Sequence, residues 1–361
     1  MQLRSAAVAR VRAITYHRPP MPTPATTRAV FAACLLAAGA CAQAVHATAV
    51  VAFDTRSNAG GGVFQPLNAL GAPLGGGTFM GSLAVHSLGI GGSLTLSFAQ
   101  PLRNGPGVDF LVAENPFEST TFGATFAESC FVEVSSNGTD FARMPARWFG
   151  PDVEPGPFAV VPMGSSENLA GQVPVLAGSA QAPGADPQDV CEAGGDAFDL
   201  QDLVGHPEVA AGRVNLGAIA QLRLVDARSG IDRDAAGRFV RDTGSGSADI
   251  DAVTAVHHAG NATAAGPVVS LAIAPDGTFT LSVDDPDGWT DLAPASLRAS
   301  LQGRLVDAGA LLSSCVLTRA DASGFTLAFP YPLPPELRYR LAVSVKDLAG
   351  HRSGAARSRP L

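Results

Sequence analysis

The sequence predicts an all-β protein, on three observations. Short segments of alternating apolar and polar residues recur from residue 48 to the C-terminus. Turn chemistry separates them, drawn from 40 Gly and 27 Pro. Helical periodicity is scarce, so the apolar residues face a core through strands with a repeat of two.

The segment 70–98, LGAPLGGGTFMGSLAVHSLGIGGSLTLSF, joins Gly-rich turns to a strand in which Leu94, Leu96 and Phe98 alternate with Ser93, Thr95 and Ser97. Phe131, Val132 and Val134 lead into Asn137-Gly138, and Phe141 returns after the turn, which is a hairpin signal. Leu222, Leu224 and Val225 form a further strand, and Ile250, Val253 and Val256 close the pattern. The best helical piece is a short one at 200–204 with Asp199 as its cap, although a turn accounts for it equally well. Segments of this length between Gly- and Pro-rich turns predict a jelly roll or a related β-sandwich over residues 48–258.

A chain of 361 residues exceeds what one ordinary core needs. The stretch 259–267, AGNATAAGP, is small, polar and aperiodic and reads as a linker. Beyond it, in 268–361, Phe279, Leu281 and Val283 alternate with polar residues, as do Leu341, Val343 and Val345. The size and rhythm are those of an immunoglobulin-like sandwich. Its ending, VSVKDLAGHRSG, resembles the last strand and tail of Ig-like modules found in tandem on bacterial surface proteins.

The first 47 residues read as leader and signal peptide. Arg28 precedes an apolar run at 29–42, and Ala42-Gln43-Ala44 supplies small residues at alternate positions for cleavage. The run is shorter than the ~20 residues needed to span a bilayer, so export to the cell surface or medium is expected, with no membrane span in the mature chain. The whole chain has a formal charge of −8. The leader carries Arg4, Arg10, Arg12, Arg18 and Arg28 and no acid, so the exported part is more acidic still. Nucleic acid and anionic membranes both require a basic footprint and are excluded as partners on this ground.

Several ordered elements resemble a family of bacterial secreted and cell-surface proteins of poorly defined function: ALGAP with its Gly run at 69–77, GSL at 81–83, SLGIGGSLTLSF at 87–98, DF…ENPF at 109–117, VEVSSNGTDF, GGDAFDL at 194–200 and a closing IDAV. Members of that family are similar to galactose-binding-like jelly rolls, in which hairpins like 134–141 are common in discoidin-type sugar-binding modules. The resemblance implies the fold and the location but no firm activity. The chain departs from it at Ala248, where an aromatic residue is usual.

Carboxylates carry the sharpest chemical signal. Asp196 and Asp199 flank Phe198, while Asp249 and Asp251 are two apart on a strand and leave the same face. These four, with Glu114 and Asn115 as further oxygen donors, form a candidate Ca²⁺ site built from hard ligands on separate loops. The competing reading is turn capping by Asp and Asn beside Gly. The run 284–288, DDPDG, lacks the spacing of an EF-hand and reads as a solvated turn. Of the five cysteines, Cys34 and Cys41 leave with the leader, and Cys130 and Cys191, each beside a matched motif, are expected to form a disulfide, with Cys315 buried on a strand. Aromatic residues at Phe117, Phe122, Phe126, Trp148 and Phe149 offer faces for a sugar; Trp148, in what reads as an exposed loop, is the preferred ligand-binding residue beside Glu114 and Asn115.

No histidine falls in a nucleophile, zinc or phosphate motif. The sequence therefore reads as a non-catalytic binding protein for an extracellular glycan or surface polymer. A structural or adhesive surface protein is the alternative, and a glycan-active hydrolase the third.

Overall fold

Alternation along the strand Ser93–Leu102 sends Leu94 and Leu96 fully inside and leaves Ser93 and Ser97 half-buried on the other face. In the computed structural model, which describes residues 45–56, 62–119, 123–241, 243, 246–261 and 266–360, this strand lies within a six-stranded antiparallel sheet. Residues 1–44 of the expected leader, with the 29–42 run and the 42–44 cleavage signal, lie outside the described residues, as do 262–265 of the connecting stretch, whereas Val45–His46 is a strand of the fold and Ala47 is buried in its core.

The sheet order is Leu169–Ala170, Cys130–Ser135, Ile219–Asp226, Ser93–Leu102, Ala49–Asp54, with Ala142–Arg143 also paired to Cys130–Ser135. The Asn137-Gly138 turn makes that last hairpin: Gly138 has φ 78°, and Asn137 Oδ1 accepts from the Thr139 and Asp140 N–H groups at 2.9 Å each. A four-stranded sheet, Val45–His46, Ala252–Ala255, Phe110–Ala113, Asp196–Phe198, faces the first across a shared apolar core. Leu94, Leu96, Val132, Val134, Leu222 and Leu224 come from one sheet, and Phe110, Val112, Phe198 and Val253 from the other. Phe110 and Phe198 stack at 5.1 Å between ring centroids. Backbone freedom is decisive at Gly194, where φ is 68° and a Cβ would come 2.0 Å from the Pro174 carbonyl oxygen.

The described helices are few and short. The 200–204 expectation corresponds to a 3₁₀ turn, Leu200–Leu203, whose cap Asp199 accepts from the Gln201 N–H. The α-helices are Pro207–Ala210 and Ala308–Ser313. No helix among the described residues is long and apolar enough to cross a membrane.

Beyond residue 267 a second pair of sheets faces across its own core. One has the order Val268–Ile273, Phe279–Asp284, Gly324–Phe329, Val316–Ala320; the other Arg304–Val306, Arg298–Leu301, Arg340–Lys346, Arg352–Ser358. The alternating residues Phe279, Leu281, Val283, Leu341, Val343 and Val345 fill the space between. Both sheet pairs belong to one compact unit, Ala44–Leu361. Val108, Leu111, Val190 and Cys191 pack against Ala342 and Ala356, and Ser344 Oγ donates to Asp189 Oδ1 at 2.8 Å.

All described cysteines are free thiols, which corrects the expected Cys130–Cys191 disulfide. The two sit in different apolar clusters: Cys130 between the first two sheets and Cys191 in the cluster that meets Ala342 and Ala356. Cys315 is half-buried just after the helix Ala308–Ser313, before the strand Val316–Ala320 begins.

Candidate functional site

Strand register builds a polar row on the face of the six-stranded sheet turned away from the core. Thr95 lies opposite Arg223, Arg223 opposite Glu133, and Glu133 opposite Arg143. Glu133 is 6% exposed, and a carboxylate so shielded requires partners. Its Oε1 accepts from Arg143 Nε at 2.8 Å and its Oε2 from Arg223 Nε at 2.6 Å. The two guanidinium groups rest on aromatic faces, Arg143 at 4.4 Å over Phe131 and Arg223 at 3.9 Å over Phe141, which fixes their planes.

Arg143, Glu133 and Arg223 of this row floor a groove of about 320 Å³. One side is formed by Arg228 and Asp232, joined by Nε to Oδ2 at 3.0 Å and Nη2 to Oδ1 at 2.8 Å. Asp226 also lines it; burial pushes its carboxyl up to about 6, against the pull of the Gly91 and Ala248 N–H groups it accepts from. Arg56, Gly91, Ser93, Phe131 and Val225 complete the lining. Guanidinium groups carry five N–H donors each, more than Glu133 and Asp232 take up, and carboxylates supply acceptors. The groove thus offers fixed, planar donors and acceptors together, which suits a ligand rich in hydroxyls.

The residues singled out from the sequence are placed elsewhere. Trp148 is 1% exposed, packed with Ala127, Phe131, Ala146, Val161 and Val240, and this corrects its assignment as an exposed stacking surface. Its Nε1 donates to the Pro151 carbonyl at 3.2 Å, and its own N–H donates to Asp234 Oδ2 at 2.8 Å, drawing the segment inward. A different aromatic set reaches the surface: Phe117 stacks on Phe126 at 5.3 Å, and Phe126 on Phe158 at 6.1 Å, with Phe158 78% exposed at φ 59°. Phe122 lies outside the described residues, and Phe149 is buried.

The structure brings together Glu114, Asn115 and Asp249. Glu114 Oε1 accepts the Asp249 N–H at 2.7 Å, and burial, with Glu128 and Asp249 nearby, pushes the Glu114 carboxyl well up from its usual range. Asn115 Oδ1 accepts from the Ser82 N–H, and its Nδ2 donates to the Ser82 carbonyl at 2.9 Å. Asp249 accepts from Ser87 Oγ.

The remaining members of the expected Ca²⁺ set are engaged by protein groups. Asp196 Oδ2 accepts from the Gly171 and Gln172 N–H groups at 2.8 and 2.9 Å. Asp199 caps its turn and lies 3.8 Å from Arg357. Asp251 accepts the Leu74 N–H on both oxygens, at 3.0 and 2.9 Å. Asp196, Asp199, Asp249 and Asp251 thus each have a protein partner, a backbone N–H group, Ser87 or Arg357, which is what the turn-capping reading expects.

Among the described residues, one group of three His, Cys, Asp or Glu side chains has its ligand atoms all within 4.8 Å of one another: Asp285, Asp287 and Asp291. This acidic triad could hold a metal ion; Asp285 and Asp287 stand in the run 284–288 that reads from sequence as a solvated turn, and Asp291 follows it.

The residues of the groove were missed by sequence reasoning. The available signal was a charge inside an apolar strand: Glu133 in FVEVS and Arg223 in LRLVD. Neither a protein-family model nor a curated protein matches the chain.

Proposed function

We propose that the protein is a secreted or cell-surface recognition protein, non-catalytic, that binds an extracellular glycan in the groove floored by Arg143, Glu133 and Arg223. The observation that carries the reading is the clamped row itself: a shielded carboxylate held between two arginines, each laid on an aromatic ring, at the floor of a groove of about 320 Å³. Side chains fixed in this way meet a sugar's hydroxyls without losing further freedom on binding.

The architecture fits a galactose-binding-like jelly roll at 48–258 and an Ig-like sandwich at 268–361, since each pair of antiparallel sheets encloses its own core. The resemblance to bacterial secreted proteins and the leader at 1–47 support export. An adhesive role is the second reading, favoured by the exposed apolar side chains of Phe79, Met80 and Leu83 at 60, 68 and 84%.

A glycan array probed with the purified mature chain tests the proposal. A defined glycan class that is retained by the wild type and lost with Arg223→Ala supports it. No hit, together with concentration-dependent self-association in sedimentation, favours the adhesive role instead.

A further inference from the structure

The turn that follows the strand Phe279–Asp284 brings three carboxylates together without a neutralising partner among the groups that act on Asp285. Asp285 begins it: its N–H donates to the Ser323 carbonyl at 2.8 Å, its own carbonyl accepts from Gly288 at 3.0 Å, and its Oδ1 accepts from the Asp287 N–H at 2.9 Å. Gly288, at φ 101° and ψ 150°, takes a backbone conformation closed to residues with a side chain. The chain then turns through Trp289–Asp291, and the Asp291 carbonyl accepts the Leu348 N–H at 2.7 Å, which ties this turn to the one at 347–351.

Asp285 is 3% exposed, and its Oδ2 is buried without a hydrogen-bond partner. The charges that bear on it, Asp291, Asp347 and Asp287, are all acids and, after burial, raise its carboxyl further. Glu114 Oε2 in the first pair of sheets is also buried without a hydrogen-bond partner, but the contrast with Asp196, Asp199 and Asp251 is direct. There Asp196 and Asp251 are met by backbone N–H groups and Asp199 by Arg357. Here Asp285, one of whose oxygens is buried without a partner, stands in a group with Asp287 and Asp291 in which one carboxylate oxygen from each lies within 4.8 Å of the others. Leaving a buried carboxylate oxygen unpaired costs free energy that a bound cation recovers.

We propose that Asp285, Asp287 and Asp291 bind a Ca²⁺ ion, with Asp285 Oδ2 as the buried anchor and Asp287 and Asp291 closing the site from the solvent side. The donors are all hard carboxylate oxygens, which disfavours zinc and copper. The turn leaves open positions for water, and the ~6–8 oxygens that Ca²⁺ takes are reached in that way, whereas Mg²⁺ demands stricter octahedral geometry. With three carboxylates on a surface turn, the affinity belongs to the ~10⁻⁴–10⁻³ M range of extracellular modules. The ion would lock the 285–291 turn against the 347–351 turn, at one end of the second sheet pair. This site is separate from the groove and independent of the glycan proposal.

Trp289, 54% exposed and two residues from Asp291, supplies a local reporter. Tb³⁺, which substitutes for Ca²⁺, is added to the chelator-treated full chain and its luminescence excited through tryptophan. The expected result is sensitised emission that Ca²⁺ displaces and Mg²⁺ displaces poorly. Asp285→Asn keeps an acceptor for the Asp287 N–H, and Asp287→Asn alters an exposed side chain, so both variants retain the turn. Each should weaken displacement by Ca²⁺ by about tenfold or more, in keeping with the dependence of affinity on ligand charge. Trp289→Phe should abolish the emission while calorimetry still detects Ca²⁺. Emission absent in the wild type, or unchanged in both Asp variants, would overturn the proposal.

Discussion

Arg223 Nε lies 2.6 Å from Glu133 Oε2, across adjacent strands whose register puts the two residues directly opposite each other. That contact, repeated by Arg143 on the other oxygen, turns one stripe of an ordinary sheet face into a fixed polar surface. If the carboxylate is what orders the two arginines, Glu133→Gln should leave the fold intact and weaken ligand binding, because an amide accepts at one atom only. Thermal melts within a few degrees of wild type, with at least a severalfold loss of affinity for the array-selected glycan, are the expected outcome; unchanged affinity would remove Glu133 from the account.

Trp148 supports the fold from inside. Trp148→Ala should cost about 3–5 kcal/mol in urea unfolding, the usual price of a large buried aromatic. Trp148→Phe should cost less and leave ligand affinity unchanged at temperatures where the variant is folded. A large affinity loss in a fully folded Trp148→Phe variant would return Trp148 to the binding surface.

Buried carboxylates make stability depend on pH in an unusual direction. Burial pushes Asp251 and Asp199 up to about 7, Asp199 with added repulsion from Asp109, from an ordinary value of 3.8. Between 3.8 and about 7 the folded state holds more protons than the unfolded one, so the stability these groups contribute is complete at the acid end and is lost as pH rises toward 7. Asp251→Asn keeps an acceptor for the Leu74 N–H and removes the charge. Relative to wild type it should therefore gain stability at pH 8 and gain little at pH 4, measured by urea titration at both values. A gain that is the same at the two pH values would contradict the assignment.

The free thiols give a chemical prediction. Iodoacetamide should label Cys315 first in the native protein, since Cys130 and Cys191 are buried and burial pushes all three thiols up, least of all shielded at Cys315. In denaturant without reductant, Cys130, Cys191 and Cys315 should all be alkylated. A Cys130–Cys191 cross-linked peptide would restore the disulfide.

The strands were legible wherever one face is buried and the other is not. Leu94, Leu96 and Phe98, or Leu341, Val343 and Val345, declare their period without help from the rest of the chain. The groove was not, because it depends on register between strands as far apart in sequence as Glu133 and Arg223, 90 residues. Trp148 reads as a surface residue for the same reason: Gly and Pro around it suggest a loop, while the Asp234 carboxylate that draws it in comes from 86 residues away. Asp285 and Asp287 read as part of a solvated turn because their spacing matches no linear calcium motif. Asp291 reaches the other two carboxylates only through the turn at Gly288 and the tie to Leu348. Conversely, Asp196 and Asp251 looked free because the N–H groups that occupy them, at Gly171, Gln172 and Leu74, belong to distant loops.

The central claim is that the Arg143–Glu133–Arg223 row binds a glycan, and calorimetric titration of the array-selected glycan into wild type, Arg223→Ala and Asp287→Asn tests it most directly. Loss of a hydrogen-bonding charged group should weaken binding by about tenfold to a hundredfold in Arg223→Ala. Asp287→Asn, remote from the groove, should bind as the wild type does. Equal affinity in wild type and a folded Arg223→Ala would contradict the account.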